Sequence, residues 1–360
     1  VRSVNFITVL LPDGDVMTNC GNCEFLSLFS VLLFSFTLFL VPTTNNVVEV
    51  SGRQLIVDNT PYFMKGVCYH PVLRGETERN FSTIDQDLEL ISEAGINTIR
   101  VYAPIDDIEV LDKIDAAGLK LIVSFGYNQK GVYDILSGTF LDYIMKYKDH
   151  NSILIWELGN EYNYHPEWFG GDIQNWYNAL SQATDQIHDI DPNHPVATAH
   201  GDMPDKQALA SNPNIDIWGL NVYRWDQPQS VFKEWQTVSD KPVYLSEAGA
   251  DSYMKISKAG FKQGENQRAQ AVANAKIIDA VLDRSDVASG IFVFSFTDGL
   301  WKAGNPNEQD IGGWAPNSSG VPYDGTPNEE YWGIVDINRN KKETFEVIKE
   351  RFVNFSLPSK

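Results

Sequence analysis

Eight short apolar runs recur between residues 62 and 296, and a segment with helical periodicity follows each of them. The runs occupy residues 62–69, 97–102, 119–127, 153–159, 195–200, 215–223, 242–247 and 290–296. They are continuously apolar rather than alternating, which is typical of strands covered on both faces in a parallel sheet. Eight strand–helix units predict a (β/α)8 TIM barrel. A doubly wound open sheet would usually carry a glycine-rich phosphate turn after its first strand, and the sequence has none.

The elements around the eight runs complete the predicted domain, residues 47–360. An alternating segment with turn residues at Ser51-Gly52 and Asn59-Thr60-Pro61 predicts a small N-terminal β-hairpin before the first strand. Helices are predicted over residues 84–94, 107–117, 131–147, 175–190, 206–210, 230–237, 268–282 and 344–352. We therefore expect residues 47–360 to form one domain rather than two.

Residues 1–46 differ from the rest because they contain the uncharged apolar run Phe25–Val41. Its 17 residues lie between a long signal-peptide core and a minimal membrane span. We interpret this hydrophobic leader as a signal peptide or signal anchor rather than a core helix. The expected location is therefore secreted or anchored at the cell surface. Cys68 is the one thiol beyond the leader, which excludes a disulfide framework there.

The formal net charge of −20 and a pI near 4.6 bear on the partners of the chain. Nucleic acid selects basic surfaces, and an acidic surface also repels anionic lipids. We expect a neutral partner, no nucleic acid, and membrane contact only through the leader if it stays uncleaved. The expected oligomeric state is a monomer.

Two carboxylates end predicted strands four and seven: Glu161 in LGNE and Glu247 in YLSEAGAD. In a TIM barrel the active site lies at the C-terminal ends of the strands. Strands three apart in a ring of eight face each other across the mouth, so both side chains can point at one substrate. Glycosidic cleavage needs two such groups, one to protonate the leaving oxygen and one to meet the oxocarbenium-like centre. A single Glu after a strand is more often a cap or a surface charge, but the pair favours catalysis.

The segments around these strand ends resemble the retaining glycoside hydrolases of clan A, the 4/7 superfamily. The similarity is closest to the catalytic barrel of family 2 and to the β-1,3-glucanosyltransferases of family 72. It rests on the phrases YFMKGVCYHP, GINTIRVY, ILIWELGNE, WGLNVYRW, KPVYLSEAG and GIFVFSFTDG. The resemblance implies a covalent glycosyl-enzyme, retention of configuration and no cofactor.

The resemblance also implies roles for five residues. Glu161 matches the acid/base and Glu247 the nucleophile. Asn160 matches the residue that hydrogen-bonds the sugar 2-hydroxyl, Arg100 an arginine that keeps the nucleophile ionised, and Tyr223 a tyrosine that hydrogen-bonds the nucleophile. A carboxylate between a guanidinium and a phenol stays ionised, whereas its negative charge raises the pKa of the neighbouring Glu161.

Other polar and aromatic residues at strand ends and in the following loops are candidates for substrate binding. Sugars stack their C–H faces on aromatic rings, although a Trp is more often ordinary packing and a His as often structural. Family members often carry Trp at the end of strand eight, where this sequence has Phe294, so Phe294 or Trp301 is expected beneath the sugar. The candidates are His70, Tyr102, His200, Asn221, Trp225, Phe294, Trp301 and Trp314. No metal-binding spacing is present, and no metal is expected.

We therefore predict a retaining β-glycoside hydrolase that acts on a neutral β-glycan, with β-1,3-glucan as the leading substrate. A β-glucanosyltransferase with the same catalytic pair is the nearest alternative, because the sequence does not show how well a sugar acceptor competes with water. A non-catalytic carbohydrate-binding barrel is the alternative from another class, but such a barrel would not need the whole catalytic set.

Overall fold

The structure is a computed structural model that describes residues 47–126, 132–225, 227–315 and 320–358. The predicted leader, residues 1–46, lies outside these ranges. Across the described ranges, none of the helices combines the length and the apolar character that a membrane crossing requires.

Eight parallel strands close into a barrel, which confirms the predicted (β/α)8 fold. We number them β1 to β8 in chain order, and β8 pairs with β1 to close the ring. They are β1 (Met64–Cys68), β2 (Thr98–Val101), β3 (Lys120–Ser124), β4 (Ile153–Asn160), β5 (Val196–Gly201), β6 (Ile217–Asn221), β7 (Val243–Ala248) and β8 (Ala288–Val293). All eight coincide with the apolar runs.

The strands are buried on both faces, as their continuous apolar sequences require. The barrel interior is one cluster of side chains that includes Met64, Ile122, Leu154, Tyr244 and Phe292, while a larger cluster lies between the strands and the helices. Some interior positions must be small. A Cβ at Gly66 would lie 2.3 Å from the ring of Phe292, so only glycine leaves room for this ring.

Eight helices alternate with the strands in the described residues, close to the predicted positions. They are α1 (Ile84–Glu93), α2 (Ile108–Ala116), α3 (Phe140–Tyr147), α4 (Ile173–Ile190), α5 (Lys206–Ser211), α6 (Ser230–Val238), α7 (Gln267–Leu282) and α8 (Glu343–Asn354). The prediction over 131–147 was wrong at its start, because α3 begins only at Phe140. The carboxylate of Asp134 accepts the backbone N–H groups of Leu136 and Ser137, and Gly138 has φ +82°, so turns occupy residues 132–139.

The predicted N-terminal hairpin is present and carries a third strand. Val48–Ser51, Gln54–Val57 and Thr60–Tyr62 form an antiparallel sheet. Its Val48, Leu55 and Val57 share one buried cluster with Met64 at the start of β1. The sheet therefore covers the N-terminal end of the barrel and leaves the C-terminal end of the strands open for a site.

Candidate active site

Glu161 and Glu247 both lie at the C-terminal mouth, as predicted. Glu247 is the fifth residue of β7, beside Asn221 at the end of β6. Glu161 directly follows β4 and adopts a left-handed backbone conformation, φ 56° and ψ 24°. This backbone conformation is strained for a residue other than glycine, and residues strained in this way cluster at active sites. Both carboxylates are thus presented by rigid strands rather than by loops.

Glu247 is buried and accepts hydrogen bonds from three side chains. Arg100 Nη1 and Tyr102 Oη lie 3.2 Å and 2.7 Å from its Oε1, and Tyr223 Oη lies 2.8 Å from its Oε2. Burial, followed by the charge of Glu247, raises the pKa of Tyr223 well above its usual value, so the phenol remains a donor. Donors from three different side chains thus surround this carboxylate. Tyr102, predicted to contact substrate, is therefore a third support of this group.

Arg100 joins Glu247 to a carboxylate that the sequence reasoning missed, Glu157 in the middle of β4. Arg100 Nε lies 2.9 Å and 3.1 Å from the two oxygens of Glu157, and Tyr244 Oη donates to Glu157 Oε2. Arg100 and Glu157 are completely buried. A lone carboxylate within an apolar strand requires a buried partner, and this was the available signal.

Asn160 lies beside Glu161 with a fixed orientation. Its Oδ1 accepts from Arg100 Nη2 at 2.8 Å and from Asn221 Nδ2 at 3.2 Å. The Oδ1 of Asn221 in turn accepts from Ser246 Oγ at 2.7 Å. Because both donors hold the oxygen of Asn160, its Nδ2 is the group that remains to donate to a ligand. Asn221, predicted to bind substrate, is itself buried and orients Asn160.

Glu161 has an environment unlike that of Glu247. Burial, and then the negative charge of Glu247, raise its pKa to about 7 against the opposing effects of a hydrogen bond from Asn221 and the charge of Arg100. None of the ion pairs among the described residues involves Glu161. The two carboxylates of the mouth therefore have different surroundings: three side chains donate to Glu247, whereas Glu161 has a raised pKa that lets it hold a proton near neutral pH.

Aromatic rings form a wall beside the pair. Tyr223 packs on Trp225 and Trp332 at centroid distances of 6.0 Å and 5.4 Å, and Trp332 meets Phe294 at 5.3 Å. Trp225 lies nearly parallel to Trp332 and is buried beside it. Trp332 follows the long polar segment 303–330 and is not among the eight substrate-binding candidates drawn from the sequence.

His70, Phe294 and Trp301 lie together at the ends of β1 and β8, around a pocket that Tyr102 and Lys302 also line. The His70 ring is 5.1 Å from the ring of Trp301, and burial lowers the pKa of His70 to about 4, which makes it neutral. Lys302 Nζ stands 4.3 Å from the centroid of Phe294 and pairs with Glu329. Phe294 thus takes the strand-eight position that the resemblance assigned to an aromatic platform.

Two predicted residues have partners other than the two carboxylates. His200, at the end of β5, is buried with its Nδ1 3.1 Å from two backbone carbonyls, and burial lowers its pKa; its buried Nε2 has no hydrogen-bond partner among the described residues. Trp314 contacts Tyr253 at 5.6 Å and lies under the amine of Lys255. Its contacts are with the loop after β7 and not with the rings beside Glu247.

Within the described ranges, no group of three or more His, Cys, Asp or Glu side chains is arranged to hold a metal ion. Cys68 is buried at the end of β1, its thiol donates to Ser246 O, and burial raises its pKa to about 12.

Fold and site together define a (β/α)8 barrel with a candidate active site of the glycosidase type. No family model matches the chain. A β-glucuronidase of Paenibacillus borealis is 25% identical over 300 residues, covering 71% of this chain and 46% of that protein. The 1,3-beta-glucanosyltransferase GAS4 of Saccharomyces cerevisiae is 22% identical over 278 residues, covering 64% of this chain and 57% of that protein.

Solved structures with a similar fold include enzymes of glycoside hydrolase family 2. A family 2 (GH2) β-galacturonidase from Eisenbergiella tayi superposes with a TM-score of 0.65 at 20% identity, covering 86% of this chain and 54% of that one. The chain spans about half the length of the relatives it matches. The comparisons therefore support a link to glycoside hydrolases and transglycosylases, while the named substrates belong to those relatives.

Proposed function

We propose that the chain is a retaining β-glycoside hydrolase in which Glu247 is the nucleophile and Glu161 the acid/base. The observation that carries the proposal is the contrast between the two carboxylates. Glu247 accepts hydrogen bonds from the guanidinium of Arg100 and from two phenols. Glu161 has a pKa raised to about 7 by burial and by the charge of Glu247. This is the division of labour that double displacement requires.

In the first step an oxygen of Glu247 attacks the anomeric carbon while Glu161 gives its proton to the departing glycosidic oxygen. The bond from carbon to that oxygen breaks and a glycosyl ester forms. Esterification removes the negative charge of Glu247, so the pKa of Glu161 falls and the group becomes a base. In the second step Glu161 takes a proton from water, the water oxygen bonds to the anomeric carbon, and Glu247 leaves as a carboxylate. Asn160 Nδ2 is placed to donate to a sugar hydroxyl throughout.

We infer a neutral glycan as the substrate because the described cations of the mouth already have partners. Arg100 is bonded to Glu157 and Glu247, and Lys302 to Glu329. The net charge of −20 also disfavours an anionic polymer. β-1,3-Glucan is the leading candidate, supported by the resemblance to family 72 and by the name of the yeast relative. Some relatives are named instead for glucuronide or galacturonide cleavage. Lys302 is the residue to test as a partner for such an anionic sugar, because it is a half-buried cation beside Phe294.

Transfer to a sugar is the second candidate, favoured by the yeast transglycosylase among the relatives. The chemistry is the same except that an acceptor hydroxyl replaces water. A binding barrel without catalysis is disfavoured, because a binding module gains nothing from a paired Arg100 and Glu247.

The test is incubation of the purified chain with β-1,3-glucan, β-1,4-glucan, mannan and aryl β-glycosides, including a β-glucuronide, with products separated by chromatography. New reducing ends indicate hydrolysis, and redistribution of chain length indicates transfer. Preference for the glucuronide, lost in Lys302→Gln, would overturn the neutral-substrate proposal. Inertness on every substrate would overturn the enzymatic one and favour the binding barrel.

A further inference from the structure

The loop that follows Glu161 exposes two aromatic rings. Tyr164 and Trp168 are 56% and 42% exposed, whereas every other described Phe, Tyr and Trp side chain is buried or half-buried. Exposed aromatic rings cost hydrophobic free energy, and their concentration in one loop beside a candidate catalytic acid calls for a ligand.

Tyr164 is held in place against the end of β5. The side-chain amide of Asn163 accepts from Gly201 N–H at 2.8 Å and donates to Gly201 O at 3.2 Å, which fixes the loop to this strand. A Cβ at position 201 would lie 2.1 Å from the ring of Tyr164, so glycine makes room for the ring. Tyr164 N–H donates to Glu161 O at 2.9 Å. The ring is therefore pre-positioned next to the acid/base.

Trp168 is pre-positioned in a different way. The ring of His165 stacks on one of its faces at 3.8 Å and 8°, and His165 Nδ1 lies 2.8 Å from a carboxylate oxygen of Glu167. The buried Tyr162 meets the indole edge-on at 5.4 Å and packs on Trp176 below. Two ring contacts thus hold the indole, while Trp168 stays 42% exposed. A rigid ring with an accessible face loses little entropy when a sugar stacks on it.

Both rings belong to the loop that directly follows Glu161, the proposed acid. In the proposed mechanism the sugar that forms the ester covers Glu247, the residue enclosed by Tyr102 and Tyr223. The departing sugar lies on the Glu161 side, because Glu161 protonates the oxygen between the two sugars. Tyr164 is close enough to Glu161 for its charge to matter: burial first, and then the charges of Glu161 and Asp202, raise the pKa of the Tyr164 hydroxyl.

We propose that Tyr164 and Trp168 form the subsites that bind the leaving portion of the glycan, and equally a sugar acceptor in transfer. The inference rests on the proposed function and deepens it. An acceptor held there places its hydroxyl at Glu161, which takes the proton as the oxygen bonds to the anomeric carbon and Glu247 is released. Occupancy of these rings therefore decides between water and sugar as the second substrate.

The test compares Tyr164→Ala and Trp168→Ala with wild type on β-1,3-glucotetraose and on β-D-glucosyl fluoride. Fluoride leaves without a sugar in the leaving-group subsites and without an acid. We expect kcat/KM for the tetraose to fall about tenfold in each variant and the transfer-to-hydrolysis ratio to fall with it, while fluoride hydrolysis stays unchanged. Val353→Ala on α8, which truncates a side chain that is 60% exposed, is the matched control and should change neither.

The outcomes separate the inference from the function on which it rests. Equal losses on both substrates would show a structural role, and unchanged tetraose cleavage would show that no sugar binds the rings; either result overturns the inference. Wild-type cleavage of the fluoride without the tetraose would also overturn it. Wild type inert on both substrates would overturn β-1,3-glucan as the proposed substrate and the inference with it, and inertness on the whole panel of glycans and aryl β-glycosides would overturn the proposed function itself.

Discussion

The pH dependence of glycoside cleavage follows from the environment of Glu161. Its pKa of about 7 means that roughly nine in ten molecules carry the proton at pH 6 and roughly one in ten at pH 8. Because only the protonated form can act as an acid, kcat/KM for an oligosaccharide should fall about tenfold for each pH unit above 7. An ordinary glutamate, with a pKa of 4.5, would already have lost the proton at pH 6.

Glu161→Gln is the perturbation that assigns this basic limb. The amide has no proton to give, so kcat/KM for an oligosaccharide should fall by about 10²- to 10⁴-fold, the usual contribution of general acid catalysis. The loss should be small for β-D-glucosyl fluoride, whose leaving group needs no proton. Glu247→Gln, in contrast, should abolish the cleavage of both substrates, because it removes the atom that attacks the sugar.

The assay is initial-rate kinetics from pH 4 to pH 9 on both substrates, with wild type and the two variants. Wild type should show a basic limb near pH 7 on the oligosaccharide and none on the fluoride, which provides an internal control. A basic limb on the fluoride as well would assign the titration to another group. Equal loss of both substrates in Glu161→Gln would refute the role of Glu161 as the acid.

Three further results are expected. The folded protein binds the Glu161 proton more tightly than the unfolded chain, so the free energy of unfolding of wild type should fall between pH 4.5 and about 7. The variant Glu161→Gln has no such proton. Its free energy of unfolding, measured in urea, should exceed that of wild type by up to about 3 kcal/mol at pH 8 and equal it at pH 4. Glu157→Gln should lower the free energy of unfolding by about 3–5 kcal/mol, because it leaves Arg100 buried without its main partner, whereas Tyr244→Phe should cost only about 1 kcal/mol. Cys68 is buried with a pKa raised to about 12, so peptide mapping should show its alkylation by iodoacetamide at pH 8 only after unfolding, and rapid labelling of the native protein would contradict its placement.

The barrel could be predicted because its signal is local and repeated. Each strand is a continuous apolar run, and the ends of the runs identify the mouth without any knowledge of contacts. Glu161 and Glu247 follow from this arrangement alone, since strand number determines which ends oppose each other. The same local reasoning failed at residues 132–139, where the side chain of Asp134 competes with the helix for backbone N–H groups.

The supporting residues could not be predicted in the same way, because their partners are remote in sequence. Glu157 and Arg100 are 57 positions apart, and only the register of β2, β3 and β4 brings them together. Trp332 reaches Tyr223 and Phe294 from the far end of a long polar segment, with no periodicity to indicate it. His200 is a related case, since its position at a strand end could be predicted, whereas the two backbone carbonyls that its Nδ1 contacts could not.

The roles of the carboxylates follow from the charge balance of the mouth. Three glutamates, Glu157, Glu161 and Glu247, surround one wholly buried cation, Arg100, whose guanidinium contacts the first and the third. Glu161 is the one without an ion pair among the described residues. Burial and the negative charge of Glu247 raise its pKa to about 7, and together they outweigh the charge of Arg100, which acts in the opposite direction. The proposed acid therefore differs from the other two glutamates in lacking direct contact with this buried cation, and this is why Glu161 can hold a proton near neutral pH.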